Sequence, residues 1–342
     1  MFRQSLLFLS QSPTAKRLVL GTPISRHLAE RFVAGDTLEQ AIAAARALNE
    51  AGMSVSLDYL GESVSRREEA EAAADMAIHT LESIAEQKVD GNISIKPSQL
   101  GLDIDEDFCR LNIERVLTRA RELGDGEGEI FVRLDMESGE YTERTIALLE
   151  ALWQDGFRNV GTVLQSYLRR TPEDLRRLIT LGARVRLVKG AYKESADLAF
   201  PDKADVDRMF VEQMQVMLEH GNFPAIATHD EAIIDATRRW TFEKGISKRD
   251  FEFQMLYGIR RDLQTRLLEE GYNVRIYIPF GDSWYPYLMR RLAERPANLF
   301  FIAGSVLRES PATRLVRPAA IGAGMLTGGI AALTWNRRRN SR

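Results

Sequence analysis

Short runs rich in β-branched and apolar residues recur along the chain, and each is followed by a longer stretch whose apolar positions repeat every three to four residues. The strand-like runs fall at 54–60, 92–97, 129–135, 161–167, 185–190, 225–229, 251–257 and 274–280. Helical patterns occupy 30–52, 66–86, 107–123, 143–155, 171–181, 204–220, 233–244 and 260–270, and Ser283, Pro286 and Pro296 punctuate a last helix over 283–295. Strand followed by helix, repeated this way, requires parallel strands with right-handed crossovers. Eight repeats favour an α/β fold closed into a (β/α)8, TIM-like barrel over an open doubly wound sheet. The expected organisation is an N-terminal helical arm (1–52), a barrel with its final short helix (53–310) and an apolar, basic-ended tail (311–342). The turn after the first strand reads Gly61-Glu62-Ser63-Val64, so the glycine fingerprint of a dinucleotide-binding sheet is absent there.

Composition narrows the function classes. Lysine and arginine number 46 against 49 acidic residues, a net charge of −3, which gives no electrostatic footprint for nucleic acid. A single cysteine, Cys109, excludes an intramolecular disulfide and a cysteine-built zinc site, and points to a reducing, cytoplasmic setting. The four histidines, His27, His79, His220 and His229, form no ligand motif, so no metal is expected. The apolar run at 6–9 lacks a small-residue cleavage site before Lys16-Arg17, which argues against a signal peptide. Residues 319–335 are apolar and glycine-rich and are closed by Arg337, Arg338, Arg339 and Arg342. That stretch is short for a membrane span. It reads either as a frayed tail or as a basic-flanked segment making peripheral contact at the inner face of a membrane.

In such a barrel, reactive groups gather where the carboxyl ends of the strands meet the following loops. Nearly every run delivers a polar side chain there: Lys96, Asp135, Gln165, Arg186 with Lys189, Thr228-His229-Asp230, Gln254 and Tyr277. Lys96 and Asp135 come from neighbouring strands and are placed to pair. In the final helix, Trp284, Leu288 and Leu292 make an apolar stripe, whereas Tyr287, Arg290, Arg291 and Glu294 share a second face. Adjacent guanidinium groups suit a small carboxylate, with Glu294 keeping an arginine head oriented.

Three strings then carry a resemblance. Val185-Arg186-Leu187-Val188-Lys189-Gly190-Ala191-Tyr192, Phe251-Glu252-Phe253-Gln254 and the segment from Tyr287 to Glu294 resemble the signature segments of proline dehydrogenases. The resemblance implies FAD held noncovalently at the carboxyl end of the barrel and oxidation of L-proline to Δ1-pyrroline-5-carboxylate. By it, Arg290 and Arg291 bind the substrate carboxylate with support from Glu294, Lys96 pairs with Asp135 beside the substrate, and Tyr277 and Tyr192 pack around the ring. Arg186 would approach the reactive edge of the flavin and Gln165 its pyrimidine end. Lys189, Gly190 and Ala191 would meet the pyrophosphate, Thr228 and His229 the adenosine half, and Met136 the flavin environment. Lys193 stands where bifunctional relatives usually carry tryptophan, and no aldehyde dehydrogenase domain follows, which suggests the compact branch. A separate pyrroline-5-carboxylate dehydrogenase and a membrane quinone are the partners this implies. The rival chemistry is a Schiff-base aldolase using Lys189.

Overall fold

A computed structural model describes residues 30–61, 63–124 and 128–294, with side chains through Arg291. The expectations for the chain start, for the tail and for the side chain of Glu294 therefore lie outside the described residues. The elements are α1 (Leu38–Glu50), β1 (Ser54–Tyr59), α2 (Arg67–Glu86), β2 (Gly91–Ile95), α3 (Glu106–Glu122), β3 (Val132–Leu134), α4 (Thr142–Gln154), β4 (Val160–Gln165), α5 (Thr171–Leu181), β5 (Val185–Val188), α6 (Lys203–His220), β6 (Ala225–Ala227), α7 (Glu231–Lys244), β7 (Glu252–Leu256), α8 (Arg261–Glu269), β8 (Asn273–Phe280) and α9 (Trp284–Glu294). The strands pair in parallel, in chain order, and β8 closes onto β1, giving the expected (β/α)8 barrel.

Side-chain alternation explains both layers of this barrel. Val55, Leu57, Ile93, Ile95, Val132, Leu134, Leu187, Phe253, Ile276 and Ile278 are buried in one continuous apolar core with the inner faces of the helices. On α2 that face is Ala74, Ala77, Leu81 and Ile84; on α3 it is Ile113, Val116, Leu117 and Ala120. The small alanines let α2 approach closely. At about 25 cal/mol per Å2 of apolar surface removed from water, this shell between sheet and helices is the main source of stability. The alternate strand positions carry Ser56, Asp58, Ser94, Arg133, Asp135, Gln165, Arg186, Glu252 and Gln254, all buried. Several of them bond across the lumen to strands that are not neighbours, so the barrel axis is filled by polar side chains rather than by the usual aliphatic layers.

Helix α1 precedes the barrel in sequence but belongs to its outer ring. It packs against β1 and β8 through Leu38, Ala41, Ile42 and Ala45. A capping box between Thr37 and Gln40 starts it cleanly. Two 3-10 turns that apolar periodicity does not signal, Pro97–Leu100 and Gly139–Tyr141, follow β2 and β3 and shape the barrel mouth. Among the described residues no helix is long and apolar enough to cross a membrane.

Candidate active site

The centre of the site is Arg186 on β5, only 6% exposed at its side chain. Its Nη1 donates to Asp135 Oδ1 just after β3 at 2.8 Å, its Nη2 to Ser94 Oγ on β2 at 3.2 Å, and its Nε to Gln254 Oε1 on β7. Tyr277 on β8 donates its hydroxyl to the other carboxylate oxygen, Asp135 Oδ2, at 2.8 Å. The Arg186 guanidinium carbon also stands 5.2 Å from the Tyr277 ring centroid. Asp135, Arg186 and Tyr277 thus form a closed triad drawn from the end of β3 and from β5 and β8. Burial above all, then the nearby Asp135 and Asp58 carboxylates, pushes the Tyr277 hydroxyl well above the ordinary phenol range, so it acts as a donor.

Lys96 is at the expected end of the barrel, but its ion partner is different. Its Nζ donates to Asp58 Oδ1 on β1 at 2.6 Å, with side chains 6% and 1% exposed. Asp135 is engaged by Arg186 and Tyr277 instead, so the expected Lys96–Asp135 pair is replaced by two pairs side by side. The register accounts for this: Asp58 lies opposite Ser94 in the β1–β2 ladder, which leaves Lys96 one inward position beyond it. Burial raises the Asp58 carboxyl above its ordinary range, against the lowering pull of Lys96, and Asp135 raises it further. The two pairs therefore form one electrostatic cluster.

The remaining expected residues ring this cluster. Gln165 ends β4 and donates through Nε2 to the Glu137 carbonyl at 2.8 Å. Met136 is buried just after β3. Glu137, which sequence reasoning passed over, accepts from Ser98 Oγ at 2.6 Å and from the Ser98 N–H at 3.1 Å, tying the β3 loop to the β2 loop. Gly190 has φ +112°, and a Cβ there would stand 2.2 Å from Tyr167 Cδ1. The absence of a side chain is thus already required by Tyr167. Lys189 is held between Asp207 at 2.5 Å and Asp230 at 2.8 Å. Ala191 and Tyr192 are half-buried in the same loop, with Tyr192 beside Tyr167. Glu194 fastens that loop by accepting from the Gly139 N–H at 2.7 Å.

Thr228 and His229 stand on the rim after β6. Thr228 Oγ1 accepts from the Asp230 N–H at 3.1 Å, and His229 Nε2 accepts from the Leu256 N–H at 2.9 Å. That acceptor role gives a neutral His229 its proton on Nδ1. On α9, Trp284, Tyr285, Leu288 and Met289 are buried. Tyr287 is buried too, at 5% exposure. Arg290 and Arg291 are half-buried, and the Arg291 guanidinium packs 5.2 Å from the Tyr287 ring centroid. Among the described residues no cluster of three or more His, Cys, Asp or Glu could hold a metal ion.

Asp58, Lys96, Asp135 and Arg186 bring buried charge together inside a closed barrel of eight parallel strands, the arrangement of a barrel enzyme, one in which cationic side chains lie among carboxylates. Comparison with known proteins takes this further. The family model for proline dehydrogenase matches residues 41–303, and the chain belongs to that family. Proline dehydrogenase 1 of Bacillus subtilis subsp. natto is 40% identical over 311 residues, covering 90% of this chain and 100% of that protein. The proline dehydrogenase of Deinococcus radiodurans is 41% identical over 312 residues, covering 90% of this chain and 98% of that one. Among solved structures, proline utilization A from Bdellovibrio bacteriovorus, inactivated by N-propargylglycine, superposes with a TM-score of 0.72 at 24% identity. That match covers 91% of this chain and 36% of the other, and it shows the shared fold.

Proposed function

We propose that the chain oxidises L-proline to Δ1-pyrroline-5-carboxylate, the first step of proline catabolism to glutamate, with FAD as its cofactor. The observation that carries the reading is the Asp135–Arg186–Tyr277 triad in the lumen. A guanidinium has five N–H groups, and the three bonds of Arg186 use one on each nitrogen, so one N–H on each terminal nitrogen is left for a bound group. This donor set fits a flavin, whose ring edge offers nitrogen and carbonyl acceptors, and the Gln165 amide is on the adjacent strand. When bound, the flavin supplies a hydride acceptor for carbon 5 of proline. Lys189, Gly190 and Ala191 would hold the pyrophosphate, Thr228 and His229 the adenosine half, and Met136 would pack on the ring.

The chain's own residues supply binding and aim. Arg290 and Arg291 fix the substrate carboxylate, Glu294 steadies them, and Lys96, Tyr192 and Tyr277 enclose the ring, so positioning dominates the rate. Arg186 adds a fixed positive charge where electron density accumulates. Electrons leave to a membrane quinone, the product passes to a separate pyrroline-5-carboxylate dehydrogenase, and the basic-ended tail gives a cytoplasmic chain peripheral contact with the membrane. No observation favours the Schiff-base alternative: Lys189 donates to Asp230 and is ion-paired with Asp207, whereas an imine-forming lysine must present its amine to the substrate.

The test is purification followed by visible spectroscopy. A yellow protein whose flavin absorption bleaches on adding L-proline supports the reading, and a colourless protein, or one indifferent to proline, refutes it. Replacing Arg290 or Arg291 should mainly raise KM, and replacing Arg186 should mainly slow flavin reduction. Wild-type behaviour in both would overturn the assigned roles.

A further inference from the structure

Arg186 is held from below by a chain of side chains that runs down the lumen. Its Nε donates to Gln254 Oε1, and Gln254 Nε2 donates in turn to Glu252 Oε1, two residues earlier on the same strand. Glu252 is gripped by Arg275 Nε on β8, at 2.9 Å to Oε2 and 3.2 Å to Oε1. Arg275 Nη1 is anchored on the Val55 carbonyl of β1 at 2.8 Å. Glu252 and Gln254 are each 3% exposed, so water does not compete for these bonds.

The direction of the chain follows from chemistry alone. Arginine can only donate and a carboxylate can only accept, so the Gln254 amide has one orientation that satisfies both neighbours. Burial works against an ionised Glu252, but Arg275, the Gln254 amide and Arg133 outweigh it and hold the carboxyl below its ordinary range. A carboxylate at this position therefore fixes the amide, and the amide fixes the guanidinium.

We propose that Glu252 and Gln254 are positioning residues for the reaction: Glu252 sets the polarity of the Gln254 amide, which aims Arg186 at the reacting atoms. Glu252 acts only through Gln254. The inference rests on the role given to Arg186 above.

The experiment is a double-mutant cycle on the holoenzyme with Glu252→Gln, Gln254→Met and the pair together. Stopped-flow flavin reduction by L-proline, KM for proline and the midpoint potential of the bound flavin are measured for each. A neutral glutamine at 252 lets the amide face either way, and methionine at 254 removes the acceptor. Each single variant should lower the reduction rate about tenfold, with KM within about twofold and a more negative flavin potential. The double variant should be no slower than Gln254→Met. Multiplying effects would show that Glu252 does not work through Gln254 and would overturn the proposal. So would an unchanged rate and potential in Gln254→Met, an arm that decides the question even where Glu252→Gln fails to fold. Arg186→Lys separates the two layers of argument. If it leaves rate and potential unaltered, the reading of Arg186 itself fails; if it alone alters them, only the positioning proposal fails.

Discussion

The Lys96–Asp58 pair offers a sharp test of the site, because it departs from the pairing expected for Lys96. At 2.6 Å and an effective dielectric of ~20, the attraction between the two charges is about 6 kcal/mol, and it opposes the dehydration of both. Removing the lysine leaves the buried Asp58 carboxylate without its cation, so Lys96→Met should cost about 3–5 kcal/mol, as should any change that strips Lys96 of its charge. Asp58→Asn in that background should restore much of the loss, with a coupling of about 2–3 kcal/mol. Asp135→Asn should couple more weakly to Lys96, since its carboxylate is already engaged by Arg186 and Tyr277. A pH series adds a sign. Burial already holds the Asp58 carboxyl above its ordinary range, and losing Lys96 removes the main influence that lowers it. The folded variant then keeps its proton on Asp58 at pH values where the unfolded chain, with a carboxyl pKa of about 3.9, has lost it. The folded state binds more protons in that window, so stability falls as pH rises through it, and the Lys96→Met defect should shrink on acidification. Urea melts followed by circular dichroism, at pH 5 and pH 8, give the numbers. Additive effects at 58 and 96, or a larger Lys96 coupling to Asp135 than to Asp58, would refute the geometry.

Three smaller predictions follow from burial and backbone alone. Gly190→Ala places a Cβ against the Tyr167 ring at a left-handed backbone position, so it should cost at least about 2 kcal/mol in a thermal or urea melt of protein stripped of any ligand. An unchanged midpoint would mean that the glycine is not constrained by Tyr167. Cys109 is fully buried, with burial pushing its thiol up to about 12, so alkylation by iodoacetamide at pH 8 should proceed only as fast as the fold opens; rapid labelling of native protein would contradict this. Phe242 is 89% exposed, and Phe242→Ser should alter stability by no more than about 0.5 kcal/mol.

What the sequence made legible divides along physical lines. The strand and helix repeat was readable because each helix must bury one face, and alternation from period 2 to period 3.6 announces every change of element. Boundaries slipped where the chain pairs less than its composition suggests: the run at 129–135 is a strand only over Val132–Leu134, since residues before it lack a ladder partner on both sides. The 3-10 turns at Pro97–Leu100 and Gly139–Tyr141 carry no apolar period and were invisible. Residue types at the mouth were legible; their pairings were not. Lys96 and Asp135 sit on adjacent strands, and adjacency suggested a pair, but partner choice depends on register and on how far Arg186 reaches across the lumen. Asp58 had a signal that went unused. Ser54, Ser56 and Asp58 alternate with Val55, Leu57 and Tyr59, the mark of a strand with one polar face.

That same alternation, repeated in Asn92-Ile93-Ser94-Ile95-Lys96 and Arg133-Leu134-Asp135, bears on why the barrel is built with a charged interior. Aliphatic layers would stabilise the lumen at least as well, because a buried ion pair seldom outperforms apolar packing of equal volume. A charged lumen costs stability unless its members are satisfied, and here Asp58, Lys96, Asp135, Arg186, Glu252 and Arg275 are each held by at least one partner of opposite charge, while Arg133 is held by the Thr162 carbonyl instead of a carboxylate. Such a network has few alternative arrangements, since moving one charge strands another in a low-dielectric interior. The apolar shell outside the strands therefore carries the stability of the fold, and the polar column inside them holds one guanidinium in one direction. Substitutions should separate accordingly. Trimming the outer shell, as in Ile113→Ala or Leu81→Ala, should lower the melting midpoint while the folded fraction keeps its turnover number, whereas Gln254→Met should reduce turnover far more than it lowers the midpoint. Equal losses of turnover and stability in both sets of variants would show that the two layers are not divided in this way.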